Sequence, residues 1–229
     1  MILVKPSFKI MAIMTGGIEA DGSDYVNALE LIEHAGRTCY KSEDNIYPRT
    51  AQKFVEKIND LGHESVLEHS SMVVKFICDR GVSYELVSHR LCSFSQESTR
   101  YCNYKGGVTF VIPPWIKIPE GEYTEKKFDF TWSDNPKKDG SIHWMFSLFN
   151  AEEAYKYLIN CSWSPQQARS VLPNSIKTEI VVTANFREWK HIFTLGTSKA
   201  AHPQMREIMI PLLDECKKLI PVIFNNIKY

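Results

Sequence analysis

The sequence has no excess of either charge, because its 27 Lys and Arg residues are balanced by 27 Asp and Glu residues over 229 positions. Proteins that wrap nucleic acid carry a basic excess, so we expect no nucleic-acid partner. The chain also shows no run of apolar residues long enough to span a bilayer, and residues 1–9 lack the hydrophobic stretch of a signal peptide. We therefore expect no membrane association and no signal peptide.

Cysteine pairs and nucleotide motifs are missing as well. The six cysteines are scattered without a CxxC pair, which indicates reduced thiols and a cytoplasmic location. No GxGxxG or Walker P-loop is found, and the His and Cys residues do not have metal-ligand spacing. The sequence thus predicts neither a Rossmann or P-loop nucleotide site nor a metal site.

The apolar residues that are present predict one α+β domain over residues 1–229. The hydrophobic content of 44% is enough to fill one large core. Helical periodicity and short β-branched runs alternate without a βαβ rhythm, which favours an α+β architecture over a doubly wound sheet. We predict helices over 24–37, 50–61, 142–161, 164–173, 186–195 and from Pro203 onward, strands over 70–81, 106–114 and 177–185, and a surface excursion over 117–141.

Three polar segments stand out against this background. "GHESVLEH" (62–69) places two His and two Glu in eight residues, which suits metal ligation, single hydrogen bonds to a ligand, or structural capping. "SHRLCSFSQESTRYCNY" (88–104) holds two arginines and many hydroxyl groups, and its alternative interpretation is a solvated loop. Arg169, Asn185 and Arg187 follow later in the chain. Since guanidinium groups make forked bonds to phosphate, these segments predict a site for phosphorylated small molecules.

The same segments resemble the flavin-dependent thymidylate synthases, the ThyX family, whose signature is RHR followed by a serine after seven further residues. Ser88-His89-Arg90 and Ser98 fit this signature with one change. "GHES…EH", "ARSVLP", "ANFREW…F" and "TSKAAHPQMREI" resemble other blocks of the family in the same order, so that the resemblance covers residues 25–215. It implies a ThyX-like fold, in which long helices flank a central, largely antiparallel sheet, and a homotetramer with active sites at the subunit interfaces.

The resemblance also implies the reaction and the roles of individual residues. The family converts dUMP to dTMP with FAD, NADPH and 5,10-methylenetetrahydrofolate, and no cysteine of the enzyme attacks the base. Residues expected near FAD or folate are His63, Ser65, Ser88, His89, Arg90, Ser95, Gln96, Asn185, Arg187 and His191. Residues expected to bind dUMP are Glu85, Gln96, Glu97, Ser98, Thr99, Arg100 and Arg169, with Ser98 and Arg100 at its phosphate. The residues expected to act in catalysis are Ser98, Arg100, Arg169 and the position of Gly196.

Two departures from the family pattern concern positive charge. Ser88 stands where the family has the first arginine of RHR, and Gly196 stands where it has an arginine thought to polarise the uracil. Lys199 and Arg206 are candidates to replace the missing charge. Besides a thymidylate synthase, the sequence therefore leaves open an enzyme for another pyrimidine nucleotide and a homologue that binds flavin or nucleotide without catalysis.

Overall fold

The computed structural model describes residues 1–14, 27–124 and 136–229. Its strands are β1 (Ile2–Val4), β2 (Ser7–Ile13), β3 (Ser71–Asp79), β4 (Cys92–Gln96), β5 (Thr109–Val111), β6 (Gly121–Glu122) and β7 (Lys177–Asn185). Its α-helices are α1 (Ala28–Tyr40), α2 (Thr50–Asp60), α3 (Arg80–Leu86), α4 (Pro136–Asn160), α5 (Pro165–Ala168), α6 (Phe186–Gly196), α7 (Pro203–Leu219) and α8 (Pro221–Phe224). Short 3-10 turns cover Glu43–Asn45, Glu64–His69 and Arg169–Val171.

The architecture is α+β with an antiparallel sheet, as the sequence predicts. The larger sheet has four strands in the order β2-β3-β7-β4, and a smaller sheet has the order β5-β1-β6. In the smaller sheet β1 runs parallel to β5, with Ile2 opposite Thr109, and antiparallel to β6. Every second side chain of β3 and β7 is buried along most of their length, which is the period of a strand with one face in a core.

The chain forms two compact units from interleaved segments. The first consists of Met1–Ser7, Phe76–Leu86 and Ser95–Ile180, and its core packs Leu3 and Phe110 with Met145 and Tyr155 from α4. The second consists of Phe8–Lys75, Val87–Phe94 and Val181–Tyr229. That a single catalytic domain spans the whole chain stays a prediction.

The second unit has an aromatic core built on α6. The indole of Trp189 lies 5.6 Å from the ring of Phe193, centroid to centroid. The Phe224 ring meets the Phe193 and Phe186 rings edge-on at 5.6 and 5.9 Å. Because edge-to-face and offset pairs are the favoured aromatic geometries, this cluster fixes the position of α6 within its unit.

Capping boxes and a glycine mark several helix ends. Asn27 and Glu30 form a capping box at the start of α1, and Ser164 and Gln167 form another at the start of α5. Gly62 follows the last residues of α2 with φ +73°, a left-handed conformation that glycine adopts without steric cost.

Several predicted boundaries differ from those of the structure. Helix α4 begins at Pro136 and not at residue 142, since proline is well tolerated in the first turn of a helix. The predicted excursion over 117–141 therefore ends earlier; it contains β6, and residues 125–135 lie outside the described part of the chain. Strand β4 was not predicted either, because its half-buried positions alternate with exposed ones and no continuous apolar face marks it.

Within the described ranges, no helix combines the length and the apolar character that crossing a membrane requires.

Candidate functional site

Glu97 lies at the centre of a polar network in the first unit, which we call the Glu97 cluster (Arg80, Gln96, Glu97, Tyr104 and Lys177). One carboxylate oxygen of Glu97 accepts the Tyr104 hydroxyl at 2.8 Å, and the other accepts Lys177 Nζ at 2.9 Å. The Glu97 N–H donates to the Glu179 carbonyl at 2.8 Å, and its own carbonyl accepts a 3.2 Å bond from Arg80. Glu97 is thus held through its backbone and both side-chain oxygens.

At neutral pH Tyr104 stays protonated and Lys177 stays charged in this cluster. Burial and the hydrogen bond to Glu97 raise the pKa of Tyr104, so its hydroxyl stays protonated and acts as a donor. Burial disfavours the charged form of Lys177, but its hydrogen bonds to Glu179 and Glu97 raise its pKa overall. Lys177 therefore remains a cation between two carboxylates.

Gln96 and Ser95 face opposite sides of β4. The Gln96 amide donates to Ser83 Oγ at 2.8 Å and to Thr178 Oγ1 at 3.2 Å, which ties β4 to α3 and β7. Ser95 is exposed. Since neighbouring residues of a strand point to opposite faces, these two predicted contacts cannot serve a ligand from the same side.

The predicted phosphate-binding residues form a tight turn after β4. The Ser98 carbonyl accepts the N–H groups of Tyr101 and Cys102, and Ser98 Oγ accepts a 3.3 Å hydrogen bond from the Arg100 N–H. Arg169 donates from its guanidinium to the buried Thr99 Oγ1 at 3.0 Å. Among the described residues, neither Arg100 nor Arg169 has an ion-pair partner, so both exposed guanidinium groups keep donors for an anion.

A cavity of about 510 Å³ in the second unit brings together three of the residues predicted to hold FAD, namely Asn185, Arg187 and His191. Its walls are completed by Glu64, Glu68, Leu91, Glu188, Lys190 and Thr194. Arg187 pairs with Glu68, and Lys190 pairs with Glu64. The cavity therefore offers two cations whose charges are balanced within it.

Asn185 has a structural role in addition to its place in the cavity wall. Its side-chain oxygen accepts the Glu188 N–H at 2.8 Å and thereby caps α6. Only the amide NH₂ remains to donate to a ligand.

His89 lies beside the predicted FAD residue His191. The two rings meet edge-on with centroids 5.7 Å apart, and His89 Nδ1 is 3.5 Å from Glu188 Oε1. Burial lowers the pKa of His89, and the Glu188 carboxylate opposes this shift without reversing it. Burial and Glu188 raise the pKa of the neighbouring Cys92 to about 12, so its thiol is not a nucleophile at neutral pH.

Acidification should destabilise the fold through His89. Its pKa in the folded chain lies below the ordinary 6.5 of the unfolded chain, so the unfolded state binds more protons as the pH falls past 6.5. The stability that His89 contributes is present above about pH 6.5 and is lost as the pH falls through its folded pKa. Urea unfolding at pH 5.5 and 7.5 should show a smaller pH dependence for His89→Gln than for the unaltered chain. His34→Gln, on the exposed face of α1, is the control; equal slopes for the His89 variant and the unaltered chain would contradict the assignment.

The other residues predicted to bind a cofactor, and the predicted dUMP residue Glu85, do not line the 510 Å³ cavity. His63 and Ser65 are exposed at the 3-10 turn Glu64–His69, and His63 Nδ1 lies 3.2 Å from the Tyr40 hydroxyl. Ser88 and Arg90 are exposed between α3 and β4, and Glu85 is exposed on α3. Their roles toward FAD and dUMP stay predictions.

Gly196 is buried at the end of α6. A Cβ atom there would lie 3.1 Å from Met209 Cγ and 3.4 Å from Met205 Cγ, tighter than most packed contacts. Arg206 Nε donates to the carbonyl of Thr197, the next residue, at 3.3 Å, whereas Lys199 is exposed. Of the two candidate replacements, Arg206 is the one that contacts the backbone beside Gly196.

Sequence reasoning missed several charged or polar residues of these sites, among them Arg80, Tyr104, Lys177, Glu188 and Lys190. The alternation of Lys177 and Glu179 in a predicted strand was the available signal, since it puts both on one face. Within the described ranges, no three His, Cys, Asp or Glu side chains come together as metal ligands.

Comparison with known proteins agrees with the residue patterns. The family described as "Thymidylate synthase complementing protein" (Thy1) matches residues 23–222. A flavin-dependent thymidylate synthase from Corynebacterium efficiens is 33% identical over 89% of this chain and 81% of its own length. A probable flavin-dependent thymidylate synthase from Mycobacterium phage D29 is 34% identical over 90% of this chain and 89% of its own.

A solved structure shares the fold. The UMP/dUMP methylase PolB from Streptomyces cacaoi, bound with 5-Br dUMP, has a TM-score of 0.74 and 20% identity, covering 98% of this chain and 96% of that one. At this identity the likeness shows the fold alone. The family match over residues 23–222 and the relatives above 30% identity lead to one conclusion: this chain belongs to the Thy1 family, the flavin-dependent thymidylate synthases.

Proposed function

We propose that this chain is an FAD-dependent thymidylate synthase that converts dUMP to dTMP, with 5,10-methylenetetrahydrofolate as carbon donor and NADPH as reductant. Membership of the family supports this proposal. The observation that carries it is the bond from Arg169 to Thr99, which holds a second guanidinium beside the turn that carries Ser98 and Arg100. Two arginines and a hydroxyl-rich turn provide the donors that a nucleotide monophosphate requires.

The donor set of the second unit fits FAD. Arg187 and Lys190 supply cations for a pyrophosphate, and the Asn185 amide and His191 supply further hydrogen bonds. The Arg187–Glu68 pair is exposed, and because water screens exposed ion pairs it is weak enough to rearrange around an anion. When bound, FAD supplies the redox chemistry of the reaction. The protein residues bind and orient the reactants and stabilise charge on the pyrimidine.

Because position 196 lacks the arginine of the family, the positive charge that polarises the pyrimidine would come from Arg206. Its side chain is anchored on the Thr197 carbonyl, and the packing of Met205 and Met209 against Gly196 leaves little room for a longer residue at that position. We also propose that the active protein is a homotetramer in which different copies complete each site, as in the family.

One assay tests the proposal. Purified protein should show the absorbance of bound flavin and release tritium from [5-³H]dUMP when NADPH and methylenetetrahydrofolate are supplied. Release from [5-³H]UMP but not from dUMP would support the second candidate, an enzyme for another pyrimidine nucleotide, which the loss of arginine at position 196 favours. Bound flavin without release from either nucleotide would refute catalysis.

Arg169→Ala should raise the KM for dUMP by about 10- to 100-fold. Removal of one charge-assisted hydrogen bond costs about 1.5–3 kcal/mol, and the turn after β4 would lose the partner of Thr99. Arg169→Lys keeps the positive charge but cannot make a forked bond. Its KM for dUMP should therefore lie between those of Arg169→Ala and the unaltered chain. Lys117→Ala, an exposed cation of the same unit, is the control. A KM for Arg169→Ala within twofold of the unaltered value would remove Arg169 from the proposed dUMP site.

A further inference from the structure

A second cavity, of about 910 Å³, lies in the second unit between α1 and α2, and we call it the α1–α2 cavity. Its lining residues are Arg37, Tyr40, Ser42, Pro48, Arg49, Thr50, Lys53, Phe54, Lys57, Ile58 and Leu61. Four of them are cations and none is an acid. We propose that this cavity binds a phosphorylated nucleotide, at a site separate from the residues assigned above to FAD and dUMP.

The charge of the cavity is only partly balanced by the protein. Arg37 donates twice to Glu33, at 3.2 and 2.9 Å, and Thr50 donates to the other oxygen of the same carboxylate at 2.9 Å. Arg49, Lys53 and Lys57 are exposed, and in the part of the chain that the structure describes none of them has an acidic partner within ion-pair distance. Three positive charges thus share one concave surface.

The spacing of the lysines places their charges on the same wall. Lys53 and Lys57 are four residues apart in α2, so their side chains project from one face of the helix. Like charges at this spacing destabilise a helix by a few tenths of a kcal/mol. An anion bound near both ammonium groups would offset the repulsion between them. Lysine ammonium groups act as point charges, whereas the Arg49 guanidinium can make a forked bond to a phosphate.

The apolar part of the lining comes mainly from α2, the helix that also carries the lysines, and it is fixed in position. The Phe54 ring packs so closely on α1 that a Cβ atom at Gly36 would lie 2.6 Å from its Cε1. The Arg37 guanidinium covers the same ring at 4.6 Å from its centroid. Glycine inside a helix costs about 1 kcal/mol relative to alanine, so Gly36 lowers the stability of α1 while it allows this close approach. Ile58 and the exposed Leu61 and Tyr40 extend the apolar surface around the ring.

A planar base with attached phosphates matches this combination of apolar and charged lining residues. Ligand cavities of about 300–1,000 Å³ are typical of small-molecule sites, and they combine a mostly apolar lining with a few polar groups. The base would lie against the apolar part of the lining around Phe54, and the phosphates would bind Arg49, Lys53 and Lys57. The cavity is connected with the predicted cofactor region through Tyr40, whose hydroxyl contacts His63.

Calorimetric titration of the FAD-saturated protein with ADP, inorganic pyrophosphate and adenosine tests the proposal. ADP should bind at least tenfold more tightly than adenosine, and Lys53→Glu/Lys57→Glu should weaken ADP binding at least tenfold. Lys217→Glu/Lys218→Glu makes the same charge change on α7 of the same unit, outside the cavity, and should leave the affinity within twofold. Phe54→Leu should weaken the binding of ADP more than that of pyrophosphate.

Three results would overturn the proposal. If both double variants weaken ADP binding equally, the protein attracts anions nonspecifically. Competition between ADP and added FAD would make the cavity part of the flavin site. Absence of ADP binding would refute the proposal by itself, and a change of assembly in Lys53→Glu/Lys57→Glu by native mass spectrometry would then identify the cavity wall as an interface between copies of the chain.

Discussion

Trp189→Ala should lower the free energy of unfolding by about 3–5 kcal/mol, the range observed when a large aromatic side chain is removed from a core. Trp189 is fully buried, and its indole lies against Phe193 in the aromatic core of the second unit. Its indole N–H donates to the Met72 carbonyl of β3 at 3.0 Å, so the truncation also removes the partner of a buried carbonyl. Urea unfolding followed by far-UV circular dichroism measures the loss.

The same substitution should reduce flavin retention, since α6 carries five residues of the 510 Å³ cavity, among them Arg187, Lys190 and His191. Trp189→Phe keeps an aromatic ring against Phe193 but loses part of the ring volume and the hydrogen bond, and the lost hydrogen bond costs about 1–3 kcal/mol. The phenylalanine variant should therefore retain most of its flavin when purified. If Trp189→Ala unfolds at the same urea concentration as the unaltered chain, α6 is not held by this contact.

Local patterns were sufficient to predict the elements that carry the cavity. "KTEIVVTAN" is a short segment rich in β-branched residues, and the structure has β7 over the same nine residues, Lys177–Asn185, with every second side chain buried. Asn185 then caps α6, in which Phe186, Trp189 and Phe193 fall on the buried face. Alternation, capping and helical spacing depend on neighbours within one or two turns, and for this reason a sequence discloses them.

The Glu97 cluster was beyond prediction for the opposite reason. Lys177 is 80 residues from Glu97, and only the order of strands in the sheet brings β7 beside β4. Strand order and register are set by contacts across the whole chain, and no local pattern at Glu97 indicates its partners. The resemblance assigned Glu97 to dUMP, whereas the structure adds that Tyr104 and Lys177 occupy both of its carboxylate oxygens.

The loss of Arg206 should have the largest catalytic effect, a fall in kcat of about 10²–10³ for Arg206→Ala. Removal of a donor that stabilises charge in the transition state has this magnitude. Arg206 is the cation whose side chain contacts the backbone next to Gly196, through its bond to the Thr197 carbonyl. Because it would act on charge that develops during the reaction, the KM for dUMP should change by much less than kcat.

Two further variants separate this role from a structural one. Lys199→Ala removes the other candidate cation, which is exposed, and should leave kcat within about twofold, since surface changes have small effects. Gly196→Arg alone should destabilise the fold by about 1–3 kcal/mol, because its side chain must displace Met209 and Met205. In the Arg206→Ala background the same change returns a guanidinium to the end of α6 and should recover part of the lost kcat. If kcat falls for Lys199→Ala and holds for Arg206→Ala, the charge comes from Lys199 instead.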